Sequence, residues 1–301
     1  MNKSLIYIGF TLLFLSCTEK VELRSKADYH DYLVVDALLT DRATDTQTVT
    51  LSNTVSYFQD EAVPMVKGAD VSINGQPFTE TEDGVYTGPE GFHGEIGGSY
   101  HLRIVLRDGT VHEADATMPE PGFELDEVDY AYAGNKALGL DSLWTLAIWG
   151  RDREAASYYC VRDGINGHFI PFQLNEIMDD KYFNGNEIKG FPITTLYQSA
   201  ILYKQFGECY KYLEKGDVIT LEAYTLDKGY FDFLFSLFMS TFSVPIFSPQ
   251  PANAPTNLSG EHVLGWFAAC PVTSAEVIVD DPHRPYYKRM MPGEGLPFPD
   301  K

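Results

Sequence analysis

Five oxygen-bearing side chains lie close together between positions 179 and 187. They are Asp179, Asp180, Asn184, Asn186 and Glu187. Carboxylate and amide oxygens are the ligands that Ca²⁺ prefers in proteins, so these residues are calcium candidates. Their spacing is not that of an EF-hand loop, and an acidic loop is often only a solvated surface. Apart from these calcium candidates, the sequence predicts no metal site and no cofactor other than a covalent lipid.

Side chains for acid–base or nucleophilic catalysis form no recognisable arrangement. The sequence contains no HExxH, GxSxG, P-loop or GxGxxG motif, and its seven histidines are scattered without metal-ligand spacing. A glycosidase needs two placed carboxylates, and no pair stands out among the 43 acidic residues. We therefore expect a protein that is not an enzyme. An envelope hydrolase acting on glycan or peptide is the alternative.

Cys17 is the one residue whose surroundings predict a specific modification. Lys3 gives a basic start, residues 5–15 are an apolar run, and the small residue Ser16 comes directly before the cysteine. This is the layout of a secretory signal, and the run is shorter than the roughly 20 residues of a membrane-spanning helix. A cysteine at that point indicates a bacterial lipoprotein. We expect residues 1–16 to be the signal peptide and the Cys17 thiol to carry the lipid.

The three other cysteines are Cys160, Cys209 and Cys270. An odd set permits at most one disulfide, which an envelope location would allow. Cys160 and Cys209 are the candidate pair, because both lie beside tyrosines in strand-like runs. The alternative is that all three are buried thiols that act as small apolar side chains.

Two features suggest glycan chemistry. The triplet Asp141-Ser142-Leu143 is similar to the O-glycosylation motif of Bacteroidota, although Ser142 could equally begin a strand. Trp149, Tyr197 and Trp266 would serve as sugar-binding platforms if they were exposed. Aromatic residues in alternating strands more often belong to the core.

Short strands separated by turns must position these residues in the first part of the chain. Residues 32–39 form an apolar run and residues 99–106 alternate between apolar and polar. Asn74-Gly75 and Asp108-Gly109 are typical hairpin turns. This spacing predicts an immunoglobulin-like β-sandwich over residues 28–119.

The second part of the chain predicts further strands and one helix. Prolines 119 and 121 mark a boundary, and residues 122–281 are expected to form a β-rich domain. Within it, apolar residues at helical spacing and an N-capping aspartate predict a buried helix over 227–242. Residues 17–27 would be a lipidated tether, and the Pro- and Gly-rich residues 282–301 a flexible tail.

Composition excludes some classes of partner. The chain has 301 residues, 44% of them hydrophobic and 14% aromatic, and a formal net charge of −21. Such a chain can bury a substantial core, so disorder is not expected. Binding to nucleic acid or to an anionic lipid surface needs lysine and arginine, and the acidic balance argues against both.

Longer motifs resemble one protein family. The stretches are SPQPANAPTNLSGEHVLGWFAA at 248–269, VITLEAYTLDKGYFDFLFSL at 218–237 and DDKYFNGNEI at 179–188, with YLVVDALLT and GSYHLRI in the first half. Together they resemble the DUF4249 family of Bacteroidota envelope lipoproteins across nearly all of residues 30–280. Gln250 stands where the family usually has proline, and Cys270 where it has a small residue.

The resemblance implies a role in uptake. Genes of this family often lie beside TonB-dependent transporters, so we expect a non-catalytic outer-membrane lipoprotein that is an accessory or ligand-capture partner of such a transporter. The membrane face stays open between cell surface and periplasm, and a purely structural envelope protein is a further alternative. Because loops often carry function, the proline-rich loop offers candidate partner contacts. They are Pro249, Pro251, Asn253, Pro255 and Asn257.

Overall fold

The computed structural model describes residues 32–55, 62–134, 142–170, 176–181, 183–197, 204, 207–208, 211–241 and 254–288. These residues form mainly strands. The strands are β1 Leu33–Thr40, β2 Thr48–Asn53, β3 Asp70–Ile73, β4 Gln76–Glu82, β5 Val85–Thr87, β6 Ser99–Val105, β7 Val111–Thr117, β8 Phe123–Tyr132, β9 Leu143–Asp152, β10 Tyr158–Ile165, β11 His168–Phe169, β12 Glu176–Asp179, β13 Glu187–Tyr197, β14 Val218–Leu226, β15 Val263–Cys270 and β16 Val272–Ile278; helix α1 spans Lys228–Thr241.

The first sheet has eight strands in the order β15-β1-β2-β5-β4-β3-β6-β7. Alternate residues of its strands, such as Leu102 and Ile104 of β6, are fully buried in one apolar core. The Asn74-Gly75 pair forms the predicted turn between β3 and β4, with φ angles of 50° and 76°. The mainly β class with a helix is therefore confirmed, while the immunoglobulin-like arrangement of residues 28–119 stays a prediction.

A strand from the far end of the sequence completes the first sheet. β15 pairs with β1 in parallel, from Leu33 opposite Val263 to Thr40 opposite Cys270. The predicted boundary at 119–122 places this strand in the second domain, and the sheet order corrects that assignment. Pairing between segments more than 200 residues apart has no local sequence signal, because either strand alone shows only its own apolar pattern.

Two smaller sheets share one apolar core in the second part of the chain. One has the order β11-β10-β14-β16, with β12 also paired to β10, and the other has the order β13-β9-β8. This second apolar core includes Tyr130, Leu146 and Ile219.

Residues 282–288 lie against the three-stranded sheet, which corrects the predicted flexible tail over this stretch. Tyr287 is completely buried and packs edge-on against Trp149 at a ring distance of 5.9 Å. Arg284 is buried, bonds to the Asp129 carboxylate and stacks on the Tyr130 ring at 4.2 Å. Proline and glycine content predicted a mobile tail, but these anchoring side chains decide the conformation.

Helix α1 begins where the sequence predicts. Asp227 caps it, because its Oδ1 accepts a hydrogen bond from the backbone N–H of Tyr230 at 3.0 Å. One side of the helix packs on β10, β14 and β15 through Tyr230 and Leu234, whereas Phe235 is 46% exposed. In the part of the chain that the structure describes, no helix is long and apolar enough to cross a membrane.

Candidate functional site

A groove of about 320 Å³ opens between helix α1 and the outer face of strands β1 and β15. Most of the described residues that line it are aliphatic or aromatic, and one of them, on β1, carries a carboxylate. The residues that define it are Val34, Asp36, Tyr230, Phe233, Leu237 and Trp266.

Strand alternation and strand pairing place Asp36 and Trp266, which both line the groove, side by side. On β1, Leu33, Val35 and Ala37 point into the first core, so Asp36 points outward toward the helix. The parallel register aligns Asp36 with Trp266 of β15. The carboxylate and the indole therefore border the same space.

Gly265 allows β15 to approach β1 at the edge of this groove. Its φ angle is +100°, and a Cβ atom there would lie 1.8 Å from the Val35 carbonyl oxygen. Any other residue would clash with the neighbouring strand and would also be strained at this φ. The groove therefore depends on a glycine at position 265.

The Asp36 carboxylate has neither a hydrogen bond nor an ion pair with any described residue. Asp36 is an exposed residue of β1, and solvent reaches it through the groove, whose apolar and aromatic side chains lie around its carboxyl group. Burial among these atoms raises the pKa of Asp36 above its ordinary value, because the charged form loses hydration. A carboxylate in such surroundings is a candidate for binding a ligand.

Three stacked aromatic rings line the groove beside Asp36. The ring centroids of Tyr230 and Phe233 are 6.1 Å apart, those of Phe233 and Trp266 are 5.6 Å apart, and those of Tyr230 and Trp266 are 6.4 Å apart. The indole N–H of Trp266 is buried and finds no hydrogen-bond acceptor among the described residues. An unsatisfied buried donor next to a cavity is uncommon in folded proteins and marks this wall of the groove.

A second carboxylate, in what we call the ionic joint, is fully paired. The joint comprises Arg42, Arg162, Glu222 and Tyr224, and it ties the turn after β1 to strands β10 and β14. Arg42 and Arg162 reach Glu222 at 2.7 Å and 2.6 Å, and the Tyr224 hydroxyl donates to it at 2.8 Å. Burial alone would raise the pKa of Glu222, but the bonds from Tyr224, Arg162 and Arg42 outweigh it and hold that pKa below its ordinary value.

The described end of the proline-rich loop joins the two outer strands of the first sheet, β7 and β15. The Asn257 side chain accepts from the Phe267 N–H at 3.0 Å and donates to the Phe267 carbonyl at 2.8 Å. The backbone N–H of Ser259 donates to the Glu113 carbonyl of β7 at 2.7 Å. These bonds give Asn257 a role inside the fold, and its contact with a partner stays a prediction.

The other candidate contacts of this loop are placed only in part. Pro255 is exposed, as a partner contact requires. Pro249, Pro251 and Asn253 lie outside the described residues.

The calcium candidates Asp180 and Asn186 make hydrogen bonds within their own region of the fold, and the calcium site stays a prediction. Asp180 is buried, and its carboxylate accepts a hydrogen bond from the Ser157 N–H at 2.6 Å. This bond holds the loop against the start of β10. Asn186 donates to the Asn184 carbonyl at 3.2 Å. In the described segments, no group of three or more His, Cys, Asp or Glu side chains is placed to hold a metal ion.

The remaining predicted sites divide into placed and unplaced residues. Ser142 is only 4% exposed, which disfavours glycosylation of the folded chain. Cys160 is buried among apolar residues beside α1, but Cys209 lies outside the described residues, so their pairing stays a prediction. Cys17 also lies outside them. Of the proposed aromatic platforms, Trp149 is core and Trp266 lines the groove.

Sequence reasoning did not identify Asp36, although a signal was present. The run YLVVDALL contains a single charged residue in an otherwise apolar strand, and a charge in such a strand requires either a partner or a special environment. Which side of the strand faces the helix became clear only from the pairing of β1 with β15.

Comparison with known proteins assigns the chain to a family without an established activity. The family model described as "Domain of unknown function (DUF4249)" matches residues 18–276, and the chain belongs to this family. No curated protein matches the chain.

Proposed function

We propose that this member of the DUF4249 family is a non-catalytic, lipid-anchored protein of the outer membrane that captures a small ligand in the groove between α1 and β1. In this role it acts as an accessory of a TonB-dependent transporter. The observation that carries the proposal is the groove itself, with the Asp36 carboxylate set among apolar and aromatic side chains.

The dimensions and lining of the groove support capture of a small molecule. Its volume of about 320 Å³ lies at the lower end of the range of roughly 300–1,000 Å³ that is typical of ligand sites. Ligand sites are usually lined by apolar side chains with a few polar groups that orient the ligand, and Asp36 would have that role here.

The sequence before β1 supports a location near the membrane. Leu33 begins β1 and lies 16 positions after Cys17 (33 − 17 = 16). A fully extended chain spans at most about 3.5 Å per residue, so β1 and its groove would lie within roughly 56 Å of the lipid. An anchored capture site at that distance would deliver its ligand to a transporter in the same membrane.

A neutral apolar fluorescent probe tests the groove as a binding site. N-phenyl-1-naphthylamine should bind the protein saturably. Val34→Phe should fill the groove and raise the Kd of the probe by about tenfold or more. Val105→Phe is the matched control, because Val105 is also half-buried but lies on β6, away from the groove. Equal probe binding by wild type and Val34→Phe would refute the groove as the site.

Membrane fractionation tests the anchor and the partner. Cys17→Ala should move the protein into the soluble envelope fraction, and unchanged membrane association would contradict the lipid anchor. The wild-type protein purified from native membranes in mild detergent should carry a TonB-dependent transporter with it. Recovery without any such protein, at detergent concentrations that preserve known membrane complexes, would refute the partnership.

A further inference from the structure

We infer that the ligand of the groove is an organic cation, with a protonated or quaternary nitrogen attached to an apolar or aromatic body. This inference rests on the proposed function, since it names the chemical class that the same groove would accept. The nitrogen would pair with Asp36, and the apolar body would lie along the helix.

The charge of the groove favours a cation. A carboxylate in apolar surroundings is unfavourable unless an opposite charge or hydrogen-bond donors compensate it. Glu222 and Asp129 receive such compensation from arginines of the chain itself. The described lining of the groove contains no lysine or arginine, so none of these residues supplies an opposite charge to Asp36, whereas a bound cation would.

The aromatic rings provide a second attraction for the same charge. The faces of aromatic rings attract cations within about 6 Å of their centroids, most strongly for tryptophan. Trp266 is the residue paired with Asp36 across the two strands, and Tyr230 and Phe233 stack beside it. Burial raises the pKa of the Tyr230 hydroxyl, and the nearby negative charge of Asp36 adds to this rise. The carboxylate and the rings thus act on one small region.

The charge of the whole chain selects against anions. With a formal net charge of −21, the protein attracts cations and repels carboxylates and phosphates before contact. An anionic ligand would also meet Asp36 inside the groove. Neutral molecules would gain from the apolar walls but would leave the carboxylate without an opposite charge.

Three water-soluble probes of similar size and different charge test this inference. They are phenethylamine, 2-phenylethanol and 3-phenylpropionate, which are cationic, neutral and anionic at pH 7. Calorimetric titration of the lipidated protein in detergent should give a Kd for phenethylamine at least about tenfold lower than for 2-phenylethanol, with no measurable binding of 3-phenylpropionate. Asp36→Asn should reduce the preference for the amine to about twofold or less.

A surface variant controls for net charge. Asp83→Asn removes one negative charge at an exposed site far from the groove, where the carboxylate pairs with Lys67 at 2.5 Å. It should keep the full preference for phenethylamine. Loss of the preference in Asp83→Asn as well as in Asp36→Asn would overturn the assignment to Asp36.

The pattern across the probes separates failure of this inference from failure of the proposed function. Equal binding of phenethylamine and 2-phenylethanol, with both weakened by Val34→Phe, would overturn the cation inference and leave the groove as a ligand site. No saturable binding of the amine, the alcohol or N-phenyl-1-naphthylamine would overturn the proposed capture function itself.

Discussion

The ionic joint and the groove both lie where the first sheet meets the rest of the chain, yet they surround a carboxylate in opposite ways. Glu222 receives two arginines and a tyrosine hydroxyl, and its pKa is held below the ordinary value. Asp36 is set among apolar and aromatic side chains, and burial raises its pKa. Folding therefore favours the charged form of Glu222 and disfavours the charged form of Asp36.

This difference distinguishes a structural charge from a functional one. A buried acid that is fully bonded holds strands in place, and its removal leaves the arginines uncompensated. Asp36 makes no such bond with a described residue, so its place in the groove calls for another explanation. Binding of a ligand that completes its interactions is the explanation that the groove supports. Variants of the two regions should therefore differ in the sign of their effect on stability.

The largest expected effect on the free energy of unfolding comes from disrupting the ionic joint. Glu222→Gln keeps the shape of the side chain but leaves Arg42 and Arg162 without their counter-charge, so we expect a loss of about 3 kcal/mol in the free energy of unfolding at pH 7. Because folding lowers the pKa of Glu222, this contribution is present above the unfolded pKa of about 4.5 and is lost as the pH falls through the lower folded value. Urea denaturation at pH 7 measures the loss of unfolding free energy, and urea denaturation at pH 4 measures how far this loss has begun to decrease in acid.

Glu82→Gln is the matched control for this variant. Glu82 lies exposed near the end of β4, so its amide variant should change the unfolding free energy by less than about 0.5 kcal/mol. A loss in Glu222→Gln no larger than that of the control would show that the joint does not stabilise the fold.

A smaller effect is expected from the tyrosine of the joint. Tyr224→Phe removes only the hydroxyl that donates to Glu222 at 2.8 Å, while the ring remains in the core. A hydrogen bond to a charged group contributes about 1.5–3 kcal/mol, and the two arginines would still compensate the glutamate, so we expect a loss of about 1.5 kcal/mol. Thermal and urea unfolding measure it; an unchanged midpoint would mean that the arginines alone satisfy Glu222.

The smallest effect, of opposite sign, is expected from the groove. Asp36→Asn should raise the unfolding free energy slightly at pH 7, because folding raises the pKa of Asp36 and its charged form disfavours the folded state. Below the unfolded pKa of about 3.8 both states hold the proton, so the gain should disappear at pH 3. Urea midpoints of the two proteins at both pH values test this. Destabilisation by Asp36→Asn at pH 7 would contradict the expected opposite signs of the Asp36 and Glu222 effects on stability.

Local features of the fold could be predicted from the sequence, whereas the groove could not. The Asn74-Gly75 turn, the apolar strand β1 and the helix capped by Asp227 each have a signal within a few residues. The groove combines β1 with β15 and α1, which lie about 200 residues further along the chain. The side of β1 that carries Asp36 becomes a wall of the groove only when β15 and α1 pack beside it.

Composition was misleading where a few buried side chains decide the structure. The composition of residues 282–288 predicted a flexible tail. In the structure, Tyr287 packs against β9 and Arg284 bonds to β8. These deciding interactions are long-range, and sequence periodicity does not report them.

Titration of the Asp36 carboxyl group tests the central claim most directly. Its ¹³Cγ chemical shift, assigned by its absence in Asp36→Asn, can be followed with pH in the free protein and with saturating phenethylamine. The groove as described predicts a pKa above the ordinary aspartate value of about 3.9 in the free protein and a lower pKa with the amine bound. A pKa at or below the ordinary value, or one that the amine leaves unchanged, would contradict the claim.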